Sequence, residues 1–254
     1  MTPAVQTWPT SPSVPVPIDA LSPDQLAIAE ELLITEDDTP VDNIYSELQM
    51  KLFTDLLSSS WKPGRKFVAF SDVGVYMTVA TPAIAPDFFI GMDVGAADES
   101  DTTASKSYLV WRIGKVPDIV IEIVSNTIGG ELTTKQAIYG TRMNVRYYVV
   151  WDPYGYIAEE PLTALEWRNG SYHPMPKAWF PGIGLGLAPR RGVYLEHERT
   201  WLRWVDAEGV FLPTGKEQTE LKEAERRRAD AERQRADAEA ERAKAERQIG
   251  RAHV

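Results

Sequence analysis

Two carboxylates and a lysine stand within one short stretch, PDIVIEIVSNTIGGELTTK, which runs from Pro117 to Lys135. Its first half is apolar and β-branched, the composition of a buried strand. In a strand, residues i and i+4 share a face. Asp118, Val120 and Glu122 therefore fall on one side, and Ile119, Ile121 and Ile123 on the other. A carboxylate in the middle of such a strand is costly to bury unless it is paired or holds a metal. A second acidic strand start, Asp87 in PDFFI, lies upstream. Two carboxylates on neighbouring strands, with no soft ligand nearby, suit a hard cation such as Mg²⁺. Lys135, on the element after the strand, is long enough to reach back over the strand end. An ammonium there would orient water or steady negative charge developing on a phosphate. The same residues admit a purely structural reading, in which Glu122 pairs with a core lysine or arginine and Asp118 caps a strand start.

The elements that must position these groups are legible from periodicity. Ile44, Leu48, Leu52 and Leu56 recur at helical spacing, with Phe53 and Leu57 widening the stripe, so an amphipathic helix is expected to end near Ser58–Ser60. KFVAFSDVGVYMTVA is a strand, or two joined near Asp72–Gly74. APDFFIGMDV and PDIVIEIVS are further strands, TTKQAIYGTRMN a short helix ending near Asn144, and VRYYVVWDP a strand closed by proline. IAEEPLTALEWRNGSYHPM reads as a hairpin turning at Asn169–Gly170. This order predicts an α/β (α+β) fold, a mixed sheet flanked by helices. Residues 1–23, rich in Pro, Ser and Thr, read as a flexible arm, residues 24–213 as the globular part, and residues 214–254 as a charged helical tail.

The tail repeats every seven residues from Ala224, and strong helix formers dominate it. With alanines 224, 231, 238 and 245 at a, the d positions are Arg227, Gln234, Glu241 and Gln248. No Leu or Ile seam results, so a solvated single helix is favoured over a tight coiled coil. The tail holds 11 basic and 10 acidic residues, which leaves −11 of the chain's net −10 on the remainder. That acidity argues against a broad electrostatic grip on nucleic acid, although a local basic groove remains compatible with it. There is no cysteine, which removes disulfides and thiolate chemistry and fits a cytoplasmic location. No apolar run is long enough for a membrane span, and the N-terminus lacks a signal-peptide pattern.

Other candidates are weaker. His173, His197 and His253 lack metal-ligand spacing. GIGLGL at 182–187 lacks the Lys-Ser/Thr of a phosphate loop and reads as turn and close packing. Trp61, Trp151, Trp179, Trp201 and Trp204 read mostly as packing residues, WLRW included, and Asp152 and Ser125 as residues that finish strands.

The segments APDFFIGMD, KSYLVWRIGKVPDIVIEIVSNTI and KQAIYGTRMNVRYYVVWDP, with the GLGL and WLRWVDAEGVFLPT ending, resemble the Uma-type family of restriction endonucleases, a branch of the PD-(D/E)XK nuclease superfamily. The likeness runs over most of residues 40–213. It implies a restriction-endonuclease-like fold and metal-dependent phosphodiester hydrolysis with Mg²⁺ or Mn²⁺. Asp87 takes the motif's aspartate and Glu122 its second acidic position, and together they are the implied metal ligands. The superfamily's lysine position is Val124 here, and Lys135 stands in for it from the next helix. Gln136 and Asp118 are implied accessories, Tyr139 lies one turn beyond Lys135, and Glu47 is a candidate extra carboxylate. The resemblance also implies a nucleic-acid partner, DNA foremost, no membrane partner, and a homodimer. A different reading is a catalytically silent nuclease-like module that serves protein contacts. The charge of −11 on residues 1–213 favours it, and the complete Asp87, Glu122, Lys135 set speaks against it.

Overall fold

The computed structural model describes residues 21–31, 43–95, 106–125 and 129–251. The N-terminal arm expected over 1–23 lies almost wholly outside them. The chain opens with helix α1 (Pro23–Glu31) and helix α2 (Ile44–Ser60), whose N-cap Asn43 accepts the Ser46 N–H. Strands β1 (Phe67–Ser71), β2 (Val75–Tyr76), β3 (Phe88–Met92) and β4 (Tyr108–Leu109) follow. After the single turn α3 (Val110–Ile113) comes β5 (Ile119–Ile123). Two π-helical turns (Glu131–Lys135 and Ile138–Arg142) connect it to β6 (Tyr147–Trp151). The chain continues through β7 (Leu162–Arg168), β8 (Ser171–Pro174), β9 (Trp179–Phe180), β10 (Leu185–Tyr194) and β11 (His197–Val205) to helix α4 (Gly215–Arg251).

The main sheet has the order β1-β3-β5-β6-β7-β8 and is mixed, with β5 and β6 parallel and the other pairs antiparallel. The alternation expected of β5 is real. Ile119, Ile121 and Ile123 join a core with Leu52, Phe53 and Leu56 of α2 and with Trp201, Leu202 and Trp204 of the second sheet. Val120 and Val124 face the other way, into a core closed by Ile138 and Tyr139 of the π-helical turns. The Asn169–Gly170 turn of the β7–β8 hairpin has φ of 53° and 81°, the geometry of a type I′ turn.

Three features differ from the sequence expectations. The segment read as a short helix starting at Thr133 starts at Glu131 and is largely π-helical, because its register is set by what it packs on. A Cβ on Gly140 would meet Trp167 Cζ3 at 2.4 Å and Tyr172 Cε2 at 2.8 Å, so the backbone here presses directly onto the β7–β8 hairpin. β1 and β2 are the two strands expected to be joined near Asp72–Gly74, but β4, its parallel pairing with β2, and helix α1 had no expected counterpart. The stretch GIGLGL, read as turn, leads straight into β10, the middle strand of a second sheet ordered β11-β10-β9. Pro189 in β10 hid that strand. It is tolerated because β9 pairs only with Leu185 and Gly186, so beyond them one side of β10 needs no ladder donor. Of the five tryptophans read as packing residues, Trp61, Trp151, Trp201 and Trp204 are buried and Trp179 is half-buried.

Helix α4 starts with a reciprocal capping box. Thr214 Oγ1 accepts the Glu217 N–H at 3.2 Å, and Glu217 Oε2 accepts the Thr214 N–H at 2.7 Å. Glu217 also takes Arg203 Nη1 at 2.9 Å, and Gly215 N–H reaches Asp55 of α2, so the first turn is tied to the body. From Glu220 through Arg242 every residue is exposed, as a solvated helix without an apolar seam requires. No helix among the described residues is long and apolar enough to cross a membrane.

Candidate functional site

The carboxyl ends of the parallel strands β5 and β6 carry the site. Pairing of β3 with β5 sets Phe88 opposite Ile121, and one step further along the same register Asp87 faces Glu122. Like charges directly opposite on a sheet repel, so this juxtaposition needs a cation. Asp87 is half-buried, and its Oδ2 accepts the Ile123 N–H at 2.5 Å, which locks it to the strand of Glu122. Glu122 is fully buried.

Both Glu122 oxygens are engaged. Lys135 Nζ lies 2.7 Å from Oε2, and the Tyr139 hydroxyl donates to Oε1 at 2.5 Å. The two donors are four residues apart on the π-helical turns and reach the same carboxylate. Burial pushes the Glu122 carboxyl above the ordinary range, against the pull of Lys135 and Tyr139. Burial alone would lower Lys135, yet the charges of Glu122, Asp87 and Glu131 outweigh it and hold the ammonium above its usual value. Tyr139 and Tyr148 are raised well above theirs, first by burial and then by Glu122, so their hydroxyls remain donors. The Tyr148 hydroxyl spends its proton on the Glu131 carbonyl at 2.7 Å, which pins the start of the π-helical segment to β6.

The structure thus brings Asp87, Glu122 and Lys135 together, and the lysine that the structural reading required is Lys135 itself. Val124, at the superfamily's lysine position, is buried among apolar neighbours. Asp118 stands at the opposite end of β5, four residues or about 13 Å from Glu122. There it pairs with Lys115 at 2.7 Å and accepts the Met92 N–H. Gln136 is half-buried beside Lys135, but the side-chain bonds to Glu122 come from Lys135 and Tyr139. Glu47 pairs with Lys51 at 2.8 Å on α2 and lines a groove with Asp55, Ser71 and Asp72. Asp72 in turn donates its N–H to the Asp87 carbonyl, so this groove abuts the site from the far face of the sheet.

Sequence reasoning missed Glu131. It is buried, accepts the Gly129 N–H at 3.0 Å, and adds a third negative charge near Lys135. The Gly129–Gly130 pair was the available signal: a Cβ on Gly129 would sit 2.9 Å from Glu131 Oε1. Among the described residues no group of three or more His, Asp or Glu side chains is arranged as a metal cage. His173 and His197 sit on strands of different sheets, β8 and β11, and Asp152 is consumed by backbone donors in the turn after β6.

Comparison with known proteins adds the following. A sequence model of the Uma2 family, described as "Putative restriction endonuclease", matches residues 27–175, more than half of the chain. No curated protein matches the sequence. A solved structure of "a putative nuclease belonging to DUF820" from Anabaena variabilis is 19% identical. It covers 57% of this chain and 75% of its own, with a TM-score of 0.38, a likeness too distant to carry an argument.

Proposed function

We propose, from the premise that the chain belongs to the Uma2 family of restriction-endonuclease-type proteins, that it hydrolyses nucleic-acid phosphodiester bonds at Asp87, Glu122 and Lys135. The observation that carries this is the meeting of a fully buried carboxylate, a second carboxylate from the adjacent strand, and an ammonium that is 28% exposed. A structural ion pair needs only two of these groups. The third, Asp87, makes a site that can hold a cation and leave the ammonium facing substrate.

The donor chemistry fits Mg²⁺ or Mn²⁺. Asp87 and Glu122 are hard oxygen donors, and Mg²⁺ is commonly held by one or two carboxylates while water and phosphate fill the remaining positions. A divalent ion bound there supplies Lewis acidity and lowers the pKa of a water molecule. The chain's own residues do the rest. Asp87, anchored on the Ile123 N–H, holds its position against repulsion from Glu122. Lys135 and Tyr139 fix the plane of the Glu122 carboxylate. Lys135, kept charged by its acidic neighbours, stabilises the negative charge that grows on the phosphate as the water oxygen bonds to phosphorus and the bridging P–O bond breaks. Nucleic acid, DNA foremost, is the substrate.

The test is calorimetric titration of Mg²⁺ and Mn²⁺ into wild type and Glu122→Gln, with a plasmid-nicking assay alongside. The glutamine keeps the side chain's shape. Binding and nicking in wild type, both lost in the variant, is the expected result. A folded wild type that binds no metal and leaves the plasmid intact overturns the proposal in favour of the silent interaction module.

A further inference from the structure

The −11 carried by residues 1–213 argues against a broad grip on substrate through phosphate neutralisation. The structure offers a charge-independent alternative at the same end of the sheet. Strands β5 and β6 run parallel with Glu122 opposite Val150, so the loop after β6 leaves the same end of the sheet as the site, one strand spacing of about 4.8 Å from the strand of Glu122, with Tyr154 packed on Tyr45 over the face of the sheet opposite to Glu122. That loop presents Tyr154 and Tyr156, each 47% exposed, with ring centroids 5.6 Å apart at 41°. Most tyrosines of this fold are buried, among them Tyr108, Tyr139, Tyr147 and Tyr148.

The loop is held in place rather than merely exposed. The carboxylate of Asp152, itself 1% exposed, accepts three successive backbone donors: Tyr156 at 2.9 Å, Ile157 at 2.7 Å and Ala158 at 3.2 Å. Behind the pair stands a rigid aromatic layer. Tyr45 meets Tyr154 edge-on at 5.7 Å and stacks on Trp201 at 5.2 Å, and its hydroxyl is tied to Trp151 Nε1 and the Thr200 carbonyl, each at 2.8 Å. Arg199 lies against this layer, with Nη1 3.4 Å from the Tyr154 hydroxyl and its guanidinium 6.0 Å from the Tyr45 ring centre. Backed aromatic rings with an arginine at the margin are the features on which unpaired bases stack.

We propose that Tyr154 and Tyr156 form a base-stacking platform that seats an unpaired nucleotide at the same end of the sheet as the Asp87–Glu122–Lys135 site, from which the strand passes over the sheet edge to Lys135, so that the preferred substrate is single-stranded or locally opened nucleic acid. This rests on the hydrolytic reading above. Stacking fixes one nucleotide of the strand, and a phosphate a few nucleotides along it, each stacked base adding about 3.4 Å of rise, is then delivered to Lys135.

The test uses the full-length chain in chelator, where no cleavage occurs, and fluorescence anisotropy of a labelled single-stranded oligonucleotide and its duplex. The wild type is expected to bind the single strand more tightly. Tyr154→Ala/Tyr156→Ala should weaken that binding about 5- to 100-fold, and Tyr154→Phe/Tyr156→Phe, which keeps both rings, should restore it. Equal affinity of the wild type and the alanine variant, preference for the duplex, or no binding of the single strand overturns the platform. If nicking by wild type persists in any of those cases, the hydrolytic reading stands without it. Loss of metal-dependent nicking in wild type overturns both.

Discussion

Lys135→Met isolates the electrostatics of the site. Methionine has nearly the length of lysine and occupies similar space without the charge. The ammonium lies 2.7 Å from Glu122 Oε2, and Glu122 is fully buried. At an effective dielectric near 20 the pair attracts by about 6 kcal/mol, most of it offset by desolvation of the two ions. What remains when one partner is deleted is an uncompensated buried carboxylate, which costs about 3–5 kcal/mol. The 28% exposure of Lys135 lets water reach the vacated end, so the lower value of about 3 kcal/mol applies. Urea unfolding in chelator should show that loss. Adding Mg²⁺ or Mn²⁺ should then stabilise Lys135→Met more than wild type, because a cation entering beside Asp87 and Glu122 meets two charges that no ammonium neutralises. Plasmid nicking should stay lost, since the cation restores the charge balance but not the group that faces the phosphate. Unchanged stability in chelator, or equal metal stabilisation of both proteins, would refute the reasoning.

Two further outcomes follow from the scaffold. Gly140→Ala places a Cβ 2.4 Å from Trp167 and 2.8 Å from Tyr172, rings pinned by bonds to Asn144 and to the Val145 carbonyl. It should lower stability by about 1–3 kcal/mol by denaturant unfolding, and an unchanged midpoint would show that the hairpin pivots freely. Glu217 is held down to about 2, first by its bond to Arg203 and then by the Thr214 N–H, against a partial rise from burial. Its folded value lies below the ordinary 4.5, so its stabilising contribution is complete above that pH and fades as pH falls from 4.5 towards 2. The stability gap between wild type and Glu217→Gln should accordingly close over that range, and a gap independent of pH would assign the anchoring of α4 to its other contacts.

The acidic strand was readable because its alternation has one physical solution. An alternating β-branched run with Glu122 on its even face must turn Ile119, Ile121 and Ile123 to one core and the carboxylate to the other. The periodicity of α2, the Asn169–Gly170 turn and the seamless charged tail were legible for the same reason: each depends on residues a few positions apart. The β10–β11 hairpin lacked such a signal. Its two-residue turn is Leu195–Glu196, at φ of 45° and 68°, and neither residue type announces a left-handed turn. Only the pairing of nine residues across that hairpin, with Gln49 of α2 bonded to both the N–H and the carbonyl of Leu202, holds it there.

Residue types and spacing singled out Asp87, Glu122 and Lys135 while leaving a purely structural reading open, and the family resemblance decided between the two, because carboxylates in apolar strands call for a cation of either kind. Which cation, in what geometry and with which helpers depended on contacts between segments far apart in sequence. The π-helical register follows from Gly140 lying against Trp167 and Tyr172, and that register sets Lys135 and Tyr139 on separate oxygens of one carboxylate. The distance of Asp118 from the site, the third charge of Glu131 and the aromatic loop beside β6 follow likewise from strand order and packing, to which local composition is blind.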